Sequence, residues 1–169
     1  MKAQIDSLFP NNNCIHSTNS SKIRLKEVDK ITQIIYNEDE KEHFIISNNN
    51  KTEINILIVD GCLEFKPEQR KCDFAFWNTN NFYFVEIKAI KIKNRKKYKK
   101  DIIEQLEETI KYFTNNTIDF GNRIIYAIGG WAYYPTKPLI STTMQNHSFR
   151  FQKSYNTILL EGNNITIKD

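Results

Sequence analysis

The sequence predicts an α/β protein with a mixed central sheet flanked by helices, and three patterns support this fold class. Three short apolar segments, rich in β-branched and aromatic residues, follow one another between residues 53 and 89. A segment with helical spacing of its apolar residues comes next, and an apolar strand follows it directly. A strand–helix–strand step implies a parallel pair with a right-handed crossover, whereas the three earlier strands suit antiparallel hairpins.

The three consecutive strands are predicted at Glu53–Val59, Cys72–Trp77 and Phe82–Ala89. The polar tetrad Asn78–Asn81 lies between the second and the third strand and suits a tight hairpin. With a two-residue loop at its centre, facing positions in this hairpin have residue numbers that sum to 159. A change of one residue in loop length would alter this register.

Two helices are predicted around these strands. The first runs from about Ser21 to Tyr36, where apolar residues recur at a spacing of three to four. The second runs from about Lys97 to Phe113, with one apolar stripe and charged pairs outside it. The strand after it is Arg123–Ile128, closed by two glycines.

The last forty residues predict a small β-rich extension. A weak strand signal surrounds Phe149–Phe151, and Ile158–Leu160 with Ile165–Ile167 suits a hairpin. The 169 residues are enough for one domain with a proper core and too few for two comfortable ones. We therefore expect a single domain over residues 1–169, with a core over about 21–130 and an extension over 131–169.

The composition excludes some classes of protein. The sequence has no run of 18 apolar residues and no signal-peptide pattern at its start, so we expect a cytoplasmic protein without a membrane partner. Its three cysteines, Cys14, Cys62 and Cys72, form no CxxC pair. Buried free thiols in a reducing compartment are therefore favoured over a disulfide or a metal role.

The positive charge of the chain is concentrated in one segment. Its net charge is +4, and seven of its cations lie within residues 91–100, so the remaining residues carry a formal charge of −3. This patch suits a polyanion such as nucleic acid, and a solvated helix start without a partner is an equally good interpretation of the run alone. The seven residues are Lys91, Lys93, Arg95, Lys96, Lys97, Lys99 and Lys100. Arg150 and Lys153 are candidates to extend the basic surface.

Three charged residues interrupt the most hydrophobic strands. Asp73 lies in the second strand, and Glu86 and Lys88 lie in the third. Burying a charge costs several kcal/mol unless it is paired or binds a metal. The hairpin register places Asp73 opposite Glu86, and the period of two residues places Lys88 on the same face.

Two adjacent carboxylates repel each other unless a cation lies between them, and their oxygens suit Mg²⁺ or Mn²⁺. Asp73 and Glu86 are therefore candidate metal ligands, and the backbone carbonyl of Ile87 can add a third oxygen. A lysine beside the metal, here Lys88, orients a water molecule or stabilises charge that develops on a phosphate. A structural salt-bridge cluster is the competing interpretation of the same residues.

The spacing of Asp73, twelve further residues and then Glu86-Ile87-Lys88 resembles the signature of the PD-(D/E)xK nuclease superfamily. The resemblance covers about Ser21 to Gly130, and Cys72 stands where the motif name has a proline. It implies the restriction-endonuclease-like fold with an αβββαβ core. It also implies a catalytic Gln105 on the helix that follows and an acidic residue of the first helix near the metal, for which Glu27 is the candidate and Glu38 a weaker one.

The expected function is thus metal-dependent hydrolysis of nucleic acid, DNA more than RNA, by Asp73, Glu86, Lys88 and Gln105. The partners expected are nucleic acid and, in addition, a second copy or another protein. The alternative is the same fold without significant cleavage, acting as a nucleic-acid-binding or protein-interaction subunit.

Other polar and aromatic residues carry weaker signals. Asp60 serves a turn with Gly61 more readily than it binds a metal. The histidines His16, His43 and His147 lack the spacing of a zinc site. The aromatic residues Trp131, Tyr133 and Tyr134 favour core packing over stacking on bases.

Overall fold

The structure is a computed structural model that describes residues 1–10, 13–29, 31–37, 39–66, 68–90, 94–133 and 145–167. Its helices are α1 (Lys2–Leu8), α2 (Arg95–Asn115) and α3 (Gln145–Tyr155). Its strands are β1 (Ile15–Thr18), β2 (Lys22–Val28), β3 (Ile31–Ile35), β4 (Phe44–Ser47), β5 (Ile54–Ile58), β6 (Phe74–Trp77), β7 (Asn81–Lys88), β8 (Ile124–Trp131), β9 (Thr157–Glu161) and β10 (Asn164–Thr166). None of the helices in these ranges is long and apolar enough to cross a membrane.

The strands form two sheets. The larger sheet has six strands in the order β1-β5-β6-β7-β8-β9, and the smaller has four in the order β10-β4-β2-β3. In the larger sheet β1, β5, β6 and β7 pair antiparallel, whereas β7, β8 and β9 pair parallel. The prediction of an α/β protein with a mixed sheet is therefore confirmed.

The central hairpin follows the predicted register. Phe74 pairs with Val85 and Trp77 with Phe82, so facing residue numbers sum to 159. The side chain of Asn78 stabilises the turn, because its Oδ1 accepts hydrogen bonds from the backbone N–H groups of Asn80 and Asn81. The helix α2 then connects β7 to the parallel strand β8, as the strand–helix–strand pattern predicts.

Each face of the larger sheet has its own hydrophobic core. Phe82 and Phe84 of β7 pack in one cluster with Leu106 and Phe113 of α2. The alternate β7 residues Tyr83, Val85 and Ile87 pack in a second cluster with Ile23, Leu25 and Phe44 of the smaller sheet. The sheet is thus buried on both faces, which explains why β6 and β7 read as nearly continuous apolar runs.

The helix predicted from Ser21 to Tyr36 is wrong, because this segment forms β2 and β3. The two strands pair antiparallel, with Val28 facing Ile31, and Asp29 in the short connection has a positive φ of 51°. Ile23 and Leu25 are both buried and lie two residues apart, which is the period of a strand. The later apolar residues are spaced three to four apart, and this spacing favoured a helix. The connection contains no glycine or asparagine, so the turn had no strong sequence signal.

The predicted C-terminal strands also need correction. Residues 149–151 belong to α3, a helix that buries Phe151 and leaves Phe149 71% exposed. The strands β9 and β10 do not form a hairpin, since β9 pairs with β8 in the larger sheet and β10 pairs with β4 in the smaller. Between them the side-chain amide of Asn163 donates to the carbonyls of His43 and Trp131, which joins the two sheets.

The prediction of three free thiols is wrong for two of them. Cys14 and Cys62 form a disulfide with a Cα–Cα distance of 5.7 Å, while Cys72 is a buried free thiol. The two bonded cysteines are 48 residues apart in the sequence, so the absence of a CxxC pair gave no sign of their contact.

Candidate functional site

Asp73 lies immediately before β6, and hydrogen bonds hold it from three directions. Its N–H donates to the carbonyl of Val85 (3.1 Å), and its own carbonyl accepts from the N–H groups of Val59 (3.0 Å) and Asp60 (3.1 Å). Its carboxylate Oδ2 accepts from the N–H of Ile87 at 2.6 Å. Asp73 therefore binds the residues on both sides of Glu86, Val85 and Ile87. Its carboxylate accepts the Ile87 N–H, which has no backbone acceptor on β6.

Glu86 is fully buried and has an uneven set of partners. Its Oε1 lies 2.5 Å from the Lys88 ammonium and accepts a hydrogen bond of 2.8 Å from the Gln105 amide. Its Oε2 is buried without any hydrogen-bond partner. Of the four predicted catalytic residues, the structure thus brings Glu86, Lys88 and Gln105 into direct contact.

The predicted register places Asp73 and Glu86 on one sheet face, but the two carboxylates occupy different positions around β7. Glu86 follows Phe82 and Phe84 in the strand alternation, so its side chain lies on the face that α2 covers. Asp73 lines a small cavity on the other side, next to Glu27, Thr32 and His43. Because β6 begins only at Phe74, Asp73 is outside the paired strand and turns its carboxylate to the Ile87 amide.

Ile87 follows Glu86 in β7, and its backbone N–H binds the Asp73 carboxylate. The N–H and C=O of a strand residue point in the same direction, and the N–H of Ile87 is bound by Asp73. The carbonyl of Ile87 therefore faces the strand edge that Asp73 occupies, where it can supply the third oxygen that the sequence analysis assigned to it.

Burial makes both carboxylates hard to ionise, and for Glu86 the charge of Asp73 adds to this effect. Burial raises the pKa of Asp73 to about 7, against the opposing effects of the Ile87 amide and Lys88. Burial, and then the neighbouring Asp73, raise the pKa of Glu86 well above its ordinary value. Burial alone would lower the pKa of Lys88, but Glu86 and other acidic neighbours outweigh this effect and raise it. Two poorly solvated carboxylates of this kind favour a bound cation.

The donor set fits a hard divalent cation of the Mg²⁺ or Mn²⁺ type. The buried, unpartnered Oε2 of Glu86 is an acceptor that the protein itself leaves unsatisfied. Within the described residues, no group of three or more His, Cys, Asp or Glu side chains is placed to hold a metal. Mg²⁺ commonly uses only one or two carboxylates and completes its shell with water and phosphate oxygens.

An acidic residue that was not among the sequence candidates lies beside this cluster. Asp101 of α2 lies one turn before Gln105, and its Oδ2 is 3.6 Å from the Lys88 ammonium and 3.4 Å from the Gln105 amide. Its Oδ1 accepts from Arg70 at 2.7 Å. The i,i+4 spacing to Gln105 was the available signal, and it places both side chains on one face of the helix.

Thr109 fixes α2 against the strand segment that carries Asp73. Its hydroxyl accepts a hydrogen bond from the backbone N–H of Cys72 (2.7 Å) and donates one to the carbonyl of Gln105 (2.8 Å). The side chain is completely buried. One hydroxyl thus connects the residue before Asp73 to the turn of α2 that carries Gln105.

Glu27, the predicted acidic neighbour of the metal, lies on β2 and not on a helix. It lines the same small cavity as Asp73 and is one of the charges that raise the pKa of Asp73. Glu38, the weaker candidate, lies outside the described residues. Asp60 is held by an ion pair of 3.3 Å with Lys71, and its N–H, rather than its carboxylate, contacts Asp73.

The basic segment is only partly available to a ligand. Arg95 stacks over the Trp131 ring at 5.3 Å, and Lys99 forms an ion pair of 3.3 Å with Glu161. Lys97 and Lys100 are exposed at the start of α2, where the first turn contains no acidic residue. Lys91, Lys93 and the side chain of Lys96 lie outside the described part of the chain.

The described residues among the remaining candidates include a buried aromatic ring, an aromatic contact, an ion pair and an exposed lysine. Trp131 is buried, and its indole N–H donates to Glu161, which supports the packing interpretation. Tyr133 is 44% exposed and packs edge-on against His43, and Tyr134 is not described. Arg150 bonds to Glu107 across the contact between α2 and α3. Lys153 is exposed in the last turn of α3.

Comparison with protein-family models, with curated proteins and with solved structures gives no match for this chain. The geometry of the site and the sequence resemblance are therefore the two supports for a function.

Proposed function

We propose that the chain is a metal-dependent nuclease of the PD-(D/E)xK type, in which Asp73, Glu86 and the Ile87 carbonyl bind Mg²⁺ or Mn²⁺. The observation that carries the proposal is the buried Glu86 carboxylate. Its Oε1 is shared by Lys88 and Gln105, and its Oε2 has no partner. A metal ion bound there would activate water and offset the negative charge of a phosphodiester.

The side chains of the protein have separate roles in this proposal. In the metal-free protein the acidic neighbours of Lys88 outweigh its burial and raise its pKa, and the charged ammonium would stabilise negative charge on the phosphate. In the metal-free protein Gln105 orients Glu86 by its hydrogen bond. Lys97 and Lys100, exposed where α2 begins, contact phosphates without reading bases. The order of β5, β6, β7, α2 and β8 matches the βββαβ part of the expected αβββαβ core, whose leading helix is replaced by β2 and β3. Glu27 lies on β2 and lines the same small cavity as Asp73, which supports a place near the metal.

The test is a cleavage assay with plasmid, linear duplex, single-stranded DNA and RNA, each with Mn²⁺ or with EDTA. We expect Mn²⁺-dependent cleavage of DNA, lowered about 100-fold or more by Asp73→Asn and by Lys88→Met. Asp6→Asn, which removes an exposed carboxylate of α1, should leave the rate unchanged. Cleavage that survives EDTA or either site substitution would contradict the proposal.

A non-catalytic binding module is the second candidate, and one observation favours it. Asp73 already binds the Ile87 amide, Glu86 already binds Lys88, and the described residues contain no group of three His, Cys, Asp or Glu side chains placed for a metal. Salt-sensitive binding of DNA without cleavage, weakened by Lys97→Glu and Lys100→Glu, would support this candidate over the enzyme.

A further inference from the structure

Asp101 connects the buried part of the site to the surface. Its Oδ2 faces the Lys88 ammonium (3.6 Å) and the Gln105 amide (3.4 Å), and its Oδ1 binds Arg70 (2.7 Å). The two donors that face Asp101 are the same two that bind Oε1 of Glu86. Asp101 is therefore a second acceptor within reach of both.

A divalent cation at Glu86 changes the balance between these two acceptors. The Lys88 ammonium lies 2.5 Å from Glu86, so a cation on the same carboxylate brings two positive charges together. Two positive charges that share one buried carboxylate repel each other strongly. A carboxylate next to the donors, but not itself on the cation, relieves this conflict because it accepts the ammonium and the amide when they leave Glu86.

Arg70 holds Asp101 in the orientation that this role needs. Its guanidinium bonds to Oδ1 of Asp101 at 2.7 Å and to Glu104 at 2.8 Å. Because Oδ1 is engaged with Arg70, Oδ2 is the oxygen that remains for Lys88 and Gln105. Glu104 shares the partner Arg70 and the same helix, but among the described residues its carboxylate forms no hydrogen bond or ion pair with the side chains of Lys88 and Gln105, so it is a matched control.

We infer that Asp101 is a positioning residue of the site, which accepts Lys88 and Gln105 when Glu86 binds a divalent cation. The inference rests on the proposed function and concerns how the metal ion gains access to Glu86. Without Asp101 the ammonium stays on Glu86 and competes with the cation. Asp101 thus acts through Lys88 and does not need to touch the metal or the substrate.

The test measures the Mn²⁺ dissociation constant of the intact protein from the electron paramagnetic resonance signal of free Mn²⁺. We expect Asp101→Asn to weaken Mn²⁺ binding about tenfold or more, as is typical for residues that orient metal ligands. Glu104→Gln removes the same charge from the same helix and should change the constant by less than about threefold. Circular dichroism melting of each variant without metal confirms that the fold is retained.

A double-mutant cycle tests whether Asp101 acts through Lys88. In the Lys88→Met background the competing ammonium is gone, so Asp101→Asn should change the Mn²⁺ constant by less than about threefold. An equal effect of Asp101→Asn and Glu104→Gln, or an undiminished effect in the Lys88→Met background, would overturn the inference and leave the proposed function intact. A wild-type protein that binds no Mn²⁺ would overturn both.

Discussion

Asp73 carries a carboxylate that the fold makes hard to ionise. Burial raises its pKa to about 7, far above the value near 4 of an aspartate in an unfolded chain. Between these two values the unfolded chain has released the proton and the folded chain still holds it. The folded state therefore binds more protons in this range, and the free energy of unfolding falls as the pH rises from about 4 to about 7.

This fall of the unfolding free energy with rising pH can be measured. In EDTA, the protein should lose about 2 to 3 kcal/mol of unfolding free energy between pH 5 and pH 8 through Asp73. Asp73→Asn, which cannot ionise, should show a correspondingly flatter dependence, and Asp6→Asn should behave as the wild type does. Urea unfolding at a series of pH values measures the difference. A wild-type dependence as flat as that of Asp73→Asn would contradict the shifted pKa.

The residues of the site differed in how far the sequence could predict them. Asp73, Glu86 and Lys88 could be predicted because charges in apolar strands require partners, and strand register is a short-range property. Asp101 could not, because it stands among other charged residues of α2 and only the packing of the helix on β7 separates it from them. The position of Asp73 just outside β6 could not be predicted either, because the sequence does not show that the strand begins at Phe74.

At the scale of elements, α2 and the β5–β6–β7 meander form the frame of the site. The strands were predictable because each is a short run of β-branched and aromatic residues beside asparagine or glycine, and the helix because its apolar residues recur every three to four positions. The pair β2–β3 was not, since its turn around Asp29 lacks such residues and its apolar spacing fits two periods. The buried hydroxyl of Thr109 is one of the polar contacts that hold α2 to the segment before Asp73, in addition to the exposed ion pairs of Arg70.

A substitution of Thr109 tests this contact. Thr109→Val keeps the shape of the side chain but leaves the buried N–H of Cys72 without an acceptor, so we expect a loss of about 1 to 3 kcal/mol of unfolding free energy. Thr114→Val makes the same change on the exposed side of α2, where the hydroxyl only donates to Ile110, and should cost less than about 0.5 kcal/mol. Equal losses in the two variants, measured by urea unfolding, would contradict the role of Thr109.

At the scale of the whole molecule, the disulfide encloses most of the smaller sheet. Cys14 and Cys62 are 48 residues apart, and β2, β3 and β4 lie between them. Cys62 also follows closely on Val59 and Asp60, whose N–H groups bind the carbonyl of Asp73. A bond across such a long loop restricts the unfolded chain more than the folded one.

Reduction of this bond should therefore destabilise the protein. We expect tris(2-carboxyethyl)phosphine to lower the free energy of unfolding by about 2 to 4 kcal/mol in the wild type. The double variant Cys14→Ser, Cys62→Ser should start at the lower value and should not respond to the reductant. A wild-type protein whose stability is the same with and without reductant would contradict the disulfide.

The separation of β9 and β10 into different sheets has a consequence for how the chain folds during its synthesis. Strands β5 to β8 pair with near neighbours in the sequence and can form as soon as they leave the ribosome. The strand β4 must wait for β10, and His43 must wait for Asn163, since both partners are made about 120 residues later. The pairing of β4 with β10 and the Asn163 hydrogen bonds between the two sheets therefore form last. Until then, the unpaired edge of β4 on a nascent chain is exposed to other chains.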